Sequence, residues 1–335
     1  MVHEAVPKVE LHCHLIGVLT PALLWDLRAG GEEILVAPEA AKPVSFGEGP
    51  DGFGQWLMRV EPYKTASWRT YLPILGWHIE QLVAQGVVYA EMMISPMMFS
   101  RDFGALAEEF AEFRTWVRER EAGRIQLEFL FLVPRSLPDE FIVKDTERCI
   151  FLAKEEGIAG ISIAGLETDQ PATRFSRMCR ELKDHGLGIE IHAGELGGPD
   201  EVIEAIDVCG ADRIGHGIAA FEDQDLVERL RDEQVHLEFC PTSNLKMGAA
   251  ASIPQHPIGQ ARDLGLNFSI NTDDPGAFGC TMASEFELVR EHFGFSDRDF
   301  EAVARNSLAS SFAKQIRVSG MSLEVARRPT TADVS

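Results

Sequence analysis

Short apolar runs recur along the chain, and the stretches between them carry a helical pattern of apolar positions. An apolar run of this length, followed by turn residues, is typical of a β-strand. We therefore predict eight strands, within residues 9–15, 86–96, 125–135, 158–167, 187–195, 213–218, 235–244 and 267–275.

Helical periodicity fills most of the gaps between these runs, for example over residues 201–209 and 223–233. Strands that alternate with helices eight times predict an α/β fold of the (β/α)8 TIM-barrel type. We expect one domain over residues 1–317, followed by a C-terminal tail over residues 318–335.

The first gap is longer than the others and predicts an α-helical insertion after strand 1. We interpret this insertion, at about residues 20–85, as a lid. Residues 47–52 within it match the string G-x-G-x-x-G. They follow no strand and carry acidic residues that would repel a pyrophosphate, so we predict a loop there.

The composition narrows the choice of partners and compartment. The 335 residues carry a formal net charge of −22, and such a surface repels phosphate backbones and anionic lipids. We therefore expect no nucleic acid and no membrane as partners. Six scattered cysteines without a C-x-x-C pair, together with the absence of a signal-peptide pattern, predict buried thiols in a reducing cytoplasm.

Two histidines, His12 and His14, lie in the first apolar run. Side chains two positions apart in a strand point to the same face, so these imidazoles form half of a metal site. The remaining ligands are then expected at the ends of other strands.

Ionisable residues gather where the predicted strands end, which is the face where barrel enzymes carry their chemistry. Strand 5 ends with His192 and Glu195, strand 6 with His216, and strand 8 with Asp273 and Asp274. Three imidazoles and one carboxylate suit Zn²⁺ with one position left open for water. Strand 4 has no lysine that could bridge a second ion, so we predict one Zn²⁺ per chain.

Each of these residues has a purely structural explanation when it is taken alone. A single strand histidine is more often a core or rim residue than a ligand, and Asp-Asp-Pro alone is an ordinary turn. We assign the structural role to His78, His185, His236, His256 and His292. The joint occurrence at four strand ends, in barrel order, favours a functional site for the others.

Five motifs, in order along the chain, resemble those of the adenosine and adenine deaminases of the amidohydrolase superfamily. They are Val9-Glu-Leu-His-Cys-His-Leu15, Ile191-His-Ala-Gly-Glu195, Arg213-Ile-Gly-His-Gly217, Cys240-Pro-Thr-Ser-Asn244 and Asn271-Thr-Asp-Asp-Pro275. The resemblance covers residues 7–316 and implies a hydrolase that converts a 6-aminopurine to the 6-oxopurine and ammonia. The signatures of cytidine-deaminase-type enzymes and of zincin proteases are absent from the sequence.

The resemblance implies that His12, His14, His192 and Asp273 ligate the zinc ion. Such an ion lowers the pKa of a bound water from 15.7 toward about 7, which makes hydroxide available at neutral pH. In the family pattern His216 lies beside this water, orients it and takes part in proton transfer. Asp273 is expected to accept the proton of the water.

The resemblance also implies the contacts to the purine ring. Glu195 corresponds to the acid that protonates N1, and burial of such a carboxyl raises its pKa toward ambient pH. Asp274 corresponds to the residue that hydrogen-bonds N7, and the backbone N–H of Gly165 to the group that meets N3. We expect Ser243 and Asn244 to brace the loops of the metal site.

An apolar face in the insertion, formed by Phe53, Trp56 and Leu57, resembles the apolar lid that covers the pocket in this family. We expect Trp56 and Leu57, together with His14 at the metal, to contact the substrate. An amphipathic helix that only packs on the barrel rim explains the same pattern equally well.

One departure from the family pattern concerns the substrate. Isoleucine stands at position 16, where these enzymes usually carry an acid that binds the ribose 5′-hydroxyl, and Ser162 replaces a common aspartate. A hydroxyl buried against Ile16 would lose about 1–3 kcal/mol. The substrate is then adenine or an adenosine altered at its 5′ end; alternatively, Ile16 points into packing and another residue binds the hydroxyl.

Two other functions compete with this one. A different mononuclear metal-dependent amidohydrolase, acting on a cyclic amide or an aminated heterocycle, would use similar ligands. A zinc-binding protein without activity is less favoured, because structural zinc sites are closed and rich in thiolates. A small-molecule purine base or nucleoside is the expected partner, and the sequence leaves the oligomeric state open.

Overall fold

Eight parallel strands form the centre of the computed structural model, which describes residues 6–154, 157–167 and 170–317. They pair in sequence order within one sheet. The strands are β1 (Lys8–His14), β2 (Val87–Ile94), β3 (Gln126–Pro134), β4 (Gly160–Ala164), β5 (Gly188–Ala193), β6 (Arg213–His216), β7 (His236–Phe239) and β8 (Asn267–Ile270). The predicted (β/α)8 fold is confirmed, and each strand lies inside its predicted run or begins one residue before it.

Helices connect successive strands and cover the outside of the barrel. They are α1 (Pro21–Ala29), α2 (Gly49–Arg59), α3 (Trp68–Ala84), α4 (Phe103–Glu121), α5 (Asp139–Lys154), α6 (Ser176–Asp184), α7 (Pro199–Asp207), α8 (Gln224–Asp232), α9 (Pro241–Lys246), α10 (Ile258–Leu264), α11 (Pro275–Phe278), α12 (Met282–Phe293) and α13 (Asp297–Ser310).

The segment between β1 and β2 contains α1 and α2 in addition to α3. The prediction of a loop over residues 47–52 is wrong from Gly49 onward, because α2 begins there with Pro50 in its first turn. Proline is favoured at this position, since its fixed φ suits a helix and its missing N–H is not needed. The predicted tail over residues 318–335 lies outside the described residues.

The barrel closes where the chain leaving β8 returns to the end of β1. Cys13 forms a parallel bridge with Asp273. The N–H of His14 donates to the carbonyl of Asp273 at 2.8 Å, and the N–H of Asp273 donates to the carbonyl of His12 at 2.9 Å. Closure of the sheet therefore aligns three of the predicted ligands by backbone bonds alone.

A buried ion-pair network lies inside the barrel. The Arg213 guanidinium is 2.5 Å from Glu91 Oε2 and 2.5 Å from Glu238 Oε1, and all three side chains are almost fully buried. The Tyr89 hydroxyl donates to the other oxygen of Glu91 at 2.7 Å. Two carboxylates thus share one guanidinium, which fixes the relative positions of β2, β6 and β7.

Two further observations concern the cysteines and the length of the helices. All six cysteines are buried and free. Among the described residues, no helix combines the length and the apolar character needed to cross a bilayer.

Loss of the buried guanidinium is expected to destabilise the barrel. In Arg213→Leu, Glu91 and Glu238 lose their common counter-charge, and we expect the free energy of unfolding to fall by about 3–5 kcal/mol, measured by urea unfolding of metal-free protein. The control is Arg229→Leu, which breaks an exposed pair with Asp207 and costs less than about 1 kcal/mol. Equal losses in both variants would contradict the importance of the buried pair.

Candidate metal and active site

The four predicted ligands lie together at the carboxyl ends of β1, β5 and β8. Asp273 Oδ1 is 3.5 Å from His12 Nε2 and 3.2 Å from His14 Nε2. The ring of His192 lies 4.5 Å from that of His12 and 5.3 Å from that of His14, measured between centroids. Residues more than 260 positions apart in sequence therefore share one site.

The residues fit a divalent metal ion. Within the described chain, the buried Nε2 atoms of His12 and His192 have no hydrogen-bond partner. A buried imidazole nitrogen without a partner loses its hydration without compensation, unless a ligand takes its lone pair. Neutral imidazoles with one carboxylate form a donor set that suits Zn²⁺ and leaves a coordination position free.

Backbone strain is concentrated at two residues of this site. His216 and Asp273 have φ of 62° and 64°, in the left-handed region that side chains other than glycine seldom occupy. Such a conformation costs on the order of 1–3 kcal/mol and persists where the surroundings enforce it. At Asp273, the enforcing contacts are the two backbone bonds to β1.

Glu238, on β7, fixes the orientation of the His12 ring by a hydrogen bond. Its Oε2 accepts a hydrogen bond from His12 Nδ1 at 2.7 Å, so His12 keeps its proton on Nδ1 and leaves Nε2 for a metal. Burial alone would raise the pKa of Glu238, but the charges of Arg213 and His12 hold it below its usual range. The sequence analysis missed this residue, although a single acid inside an apolar strand was a visible signal.

Glu190 is a second buried carboxyl near the same ring. Its Oε1 lies 3.6 Å from His12 Nδ1, and Gly215 makes room for it, because a Cβ at that position would come within 2.3 Å of this oxygen. Burial and the charge of Glu238 raise the pKa of Glu190 to about 8. The sequence analysis assigned it no role.

Ser243 and Asn244 each contact one of the predicted catalytic residues. Ser243 Oγ donates to Asp273 Oδ2 at 2.6 Å, which leaves Oδ1 directed at His12 and His14. Asn244 Nδ2 lies 3.1 Å from His216 Nδ1. The two side chains thus orient the catalytic groups that the sequence predicts at the ends of β6 and β8.

Glu195 follows β5 and faces the same space. Its Oε2 lies 3.7 Å from His216 Nε2, and potential ligand atoms of Glu195, His216 and Asp273 lie within 4.8 Å of one another. Burial raises the pKa of Glu195 well above its usual range, with further contributions from the charges of Asp273 and Glu167.

Glu167 was missed by the sequence analysis. It accepts hydrogen bonds from the backbone N–H groups of Glu195, at 2.9 Å, and of Gly197. These bonds hold the loop that carries Glu195, and they depend on a contact between the ends of β4 and β5 that sequence spacing does not reveal.

Two glycines shape the space around the predicted substrate contacts. A Cβ at Gly17 would lie 2.1 Å from Asp274 Oδ1, so only glycine lets this carboxyl reach its position. Gly165 has φ of 113°, which glycine adopts without strain. Burial and the charge of Asp273 raise the pKa of Asp274 well above its usual range.

The predicted lid residues pack beside the site. Trp56 is fully buried, and its ring stacks on that of Phe53 with 6.2 Å between the centroids. The Phe53 ring also stacks on that of Phe278, with 5.2 Å between the centroids. Phe278 follows Asp274 by four residues. Leu57 and Ile16 are half-buried against the main core. The full burial of Trp56 favours its packing role, and the substrate contacts of these residues stay predictions.

A cavity of about 670 Å³ opens beside Glu195. Its walls come from the loops after β5, β6 and β7 and include Ile218, Phe221, Ala250 and His256. Small-molecule sites commonly have volumes of this size.

Comparison with known proteins identifies the family. The model of the family described as "Adenosine deaminase" matches residues 7–327. An adenine deaminase of Rhizobium rhizogenes is 33% identical over 313 residues, which cover 91% of this chain and 94% of the relative. An adenosine deaminase of Shewanella loihica is 28% identical, over 93% of this chain and 96% of the relative. The crystal structure of an adenine deaminase from Arthrobacter aurescens superposes with a TM-score of 0.78 and 27% identity, over 92% and 95% of the two chains.

The contact between Glu238 and His12 is expected to control metal affinity. In Glu238→Gln, one end of the amide is a donor, so it cannot accept from both His12 and Arg213. We expect zinc to bind about 10- to 100-fold more weakly in a competition titration against a chelator. Glu285→Gln is the matched control, since Glu285 is also buried but bonds Thr242. Unchanged zinc affinity in Glu238→Gln would remove the assigned role.

Proposed function

This chain belongs to the adenosine deaminase family, and we propose that it is a metal-dependent hydrolytic deaminase that converts a 6-aminopurine to the 6-oxopurine and ammonia. The observation that carries the proposal is the convergence of Glu195, His216 and Asp273 around a cluster of metal-binding imidazoles. An acid, a hydrogen-bonding histidine and a metal-facing carboxylate are the groups that this hydrolysis needs.

We propose that His12, His14, His192 and Asp273 hold one Zn²⁺ per chain. A bound zinc ion would supply a hydroxide equivalent at neutral pH by lowering the pKa of water. The two partnerless Nε2 atoms and the Asp273 carboxylate support this ligand set.

Proton transfer at the attacking water is assigned to Asp273. Its Oδ2 is held by the Ser243 hydroxyl, while its Oδ1 faces the two histidines of β1. His216 Nε2 faces the same space and orients the water against the purine C6.

Glu195 is proposed as the proton donor to purine N1. A protonated carboxyl is required for this role, and the raised pKa of Glu195, caused mainly by burial, supports it. Protonation at N1 makes C6 electron-poor and prepares it for attack. The hydrogen bonds that Glu167 accepts from the backbone of this loop keep the Glu195 carboxyl in place.

The purine ring is oriented by Asp274 and Gly165. A carboxyl with a raised pKa donates a hydrogen bond to the acceptor N7, and Asp274 meets this condition. The backbone N–H of Gly165 would bond N3, where the missing side chain lets the ring approach the strand.

We propose that the substrate is adenine or an adenosine altered at its 5′ end. Ile16 begins the turn Ile16–Val18 directly after β1 and offers no hydrogen-bond acceptor to a sugar hydroxyl. The similarity to proteins named adenine deaminase supports the same choice. The free buried thiols support a reducing, cytoplasmic location.

Ammonia release from a panel of purines tests the activity and the substrate. We expect turnover of adenine, 5′-deoxyadenosine or 5′-methylthioadenosine, with kcat/KM for adenosine lower by about 10- to 100-fold because its 5′-hydroxyl is left unpaired. Ile16→Glu should raise kcat/KM for adenosine relative to 5′-deoxyadenosine, whereas Ile16→Leu should leave the ratio unchanged.

A clear preference of the unaltered enzyme for adenosine would overturn the inference from Ile16. If no 6-aminopurine releases ammonia but cyclic amides are opened, the chain is a different amidohydrolase. If zinc binds and neither class reacts, a zinc-binding protein without activity is the remaining explanation.

Replacement of the N1 proton donor separates chemistry from metal binding. Glu195→Gln keeps the shape of the side chain but has no acidic proton, so we expect kcat to fall by about 10²- to 10⁴-fold. Metal analysis should still find about one equivalent of zinc per chain. Near-normal turnover in this variant would contradict the role of Glu195, and a loss of zinc would mean that it serves the metal site instead.

A further inference from the structure

A buried arginine, Arg135, lies against the loop that carries Glu195. It follows β3 directly and is 1% exposed. Its Nη2 donates at 2.8 Å to the carbonyl of His192, near the end of β5. Its Nη1 donates at 2.8 Å to the carbonyl of Gln170 and at 3.1 Å to Oε2 of Glu201, in the first turn of α7. One guanidinium therefore connects the chain after β4, the end of β5 and the start of α7.

Two of these bonds lie at the two ends of the Glu195 loop, which we define as residues 194–198. The loop reads Gly194-Glu-Leu-Gly-Gly198, so three of its five residues are glycine. Glycine loses more backbone freedom on ordering than any other residue, so a loop of this composition does not hold its own shape. Its conformation, including a φ of 70° at Gly194, therefore depends on anchors outside it.

Glu167 anchors the middle of the Glu195 loop, and Arg135 acts on Glu167 as well. The Glu167 carboxylate accepts hydrogen bonds from the backbone N–H groups of Glu195 and Gly197. Burial raises the pKa of Glu167 and the charge of Glu201 adds to this, whereas the two backbone bonds and the charge of Arg135 lower it. Arg135 thus binds the ends of the loop directly and favours the charged form of the carboxylate that binds its middle.

We propose that Arg135 is a positioning residue that places the Glu195 carboxyl against purine N1 by holding the Glu195 loop at both ends. This inference rests on the proposed function, which assigns the proton donation to Glu195. A buried guanidinium carries a large desolvation cost, and apolar residues of similar volume often replace buried ion pairs without loss of stability. Here the acceptors of Arg135 flank the loop or follow Glu167 in the chain, which is where a proton donor has to be held precisely.

Replacement of Arg135 by methionine removes the guanidinium and keeps a long, unbranched side chain. The loop then loses its bonds at His192 and Glu201, and we expect kcat for the best 6-aminopurine substrate to fall about 10- to 100-fold, because a displacement on the order of 1 Å at a reacting group has an effect of this size. Zinc content should stay unchanged, since the pairing of β5 with β6 keeps His192 in register. A kcat equal to that of the unaltered enzyme would overturn the proposal.

Arg114 provides the matched control. It is 5% exposed and also donates to one carbonyl and one carboxylate, those of Leu127 and Glu128, both at 3.0 Å. These acceptors lie on β3, so Arg114→Met also removes a buried guanidinium but leaves the Glu195 loop intact. We expect lower resistance to urea and an unchanged kcat in this variant. Equal falls of kcat in Arg114→Met and Arg135→Met would mean that both act through general stability, which contradicts the positioning role.

A double-mutant cycle with Glu195→Gln separates positioning from other effects on the rate. If Arg135 acts through Glu195, its loss has no further effect on kcat once the proton donor is gone. We expect kcat of the double variant to lie within about 2- to 3-fold of kcat for Glu195→Gln alone. A fall equal to the product of the two single effects would show that Arg135 acts independently of Glu195, and the proposal would then be wrong.

Arg135→Lys takes the place of Arg135→Met in the same cycle if the methionine variant does not fold. Lysine keeps the positive charge, but its ammonium group is compact and cannot span the acceptors that the planar guanidinium joins. We therefore expect a lower kcat, again without a further fall in the Glu195→Gln background. An unchanged kcat would show that the charge alone is sufficient, which contradicts a role in holding both ends of the loop.

Hydrogen exchange measures the order of the loop without any substrate. In zinc-loaded full-length protein, backbone amides of residues 193–201 should exchange faster in the Arg135 variant than in the unaltered protein, and at the unaltered rate in Arg114→Met. Unchanged exchange in the Arg135 variant would overturn the proposal. If the loop loosens but the unaltered protein deaminates no 6-aminopurine, the anchoring by Arg135 stands and the assigned activity fails. If aminopurines are deaminated and neither the exchange nor kcat responds to Arg135, the activity stands and the positioning role fails.

Discussion

The backbone pairing between the end of β1 and the chain leaving β8 is the contact on which the site depends. Two hydrogen bonds, one on each side of Cys13, lock Asp273 against His12 and His14. The same bonds close the barrel and enforce the positive φ of Asp273. A local strain on the order of 1–3 kcal/mol is thereby offset by the closure of the whole sheet. The metal-facing carboxylate is consequently positioned by the fold before any ligand binds.

A continuous series of charged contacts connects the buried guanidinium with the candidate metal site. Arg213 is the counter-charge that Glu91 and Glu238 share, and Glu238 in turn bonds His12. Asp273 faces the other nitrogen of His12, and burial disfavours ionisation of the neighbouring carboxyls of Glu195 and Asp274. A divalent cation bound between the imidazoles would place positive charge beside Asp273, as the guanidinium does beside Glu91 and Glu238. His12 connects the two groups of charges, since its Nδ1 faces Glu238 and its Nε2 faces Asp273.

The sequence predicted the parts of the site that depend on local pattern. The strands, their ends and the ionisable residues at those ends follow from periodicity, and the family motifs add roles for them. Glu238 and Glu167 were not predicted. Each depends on which strand or loop lies beside another, and the spacing of residues in one segment carries no such information. The helical start at Gly49 was also not predicted. Residues 47–52 were interpreted as a loop from their glycines, although Pro50 favours the first turn of a helix.

The turn after β1 contains two neighbouring residues, Ile16 and Gly17, that are under different structural constraints. At position 17 only glycine fits, because the carboxyl of Asp274 lies where a Cβ would be. The neighbouring Ile16 is half-buried against the core. Position 17 must therefore stay glycine for Asp274 to keep its place, and this constraint does not apply to position 16. Under the proposed function, a change at position 16 can therefore alter the choice of substrate without displacing Asp274.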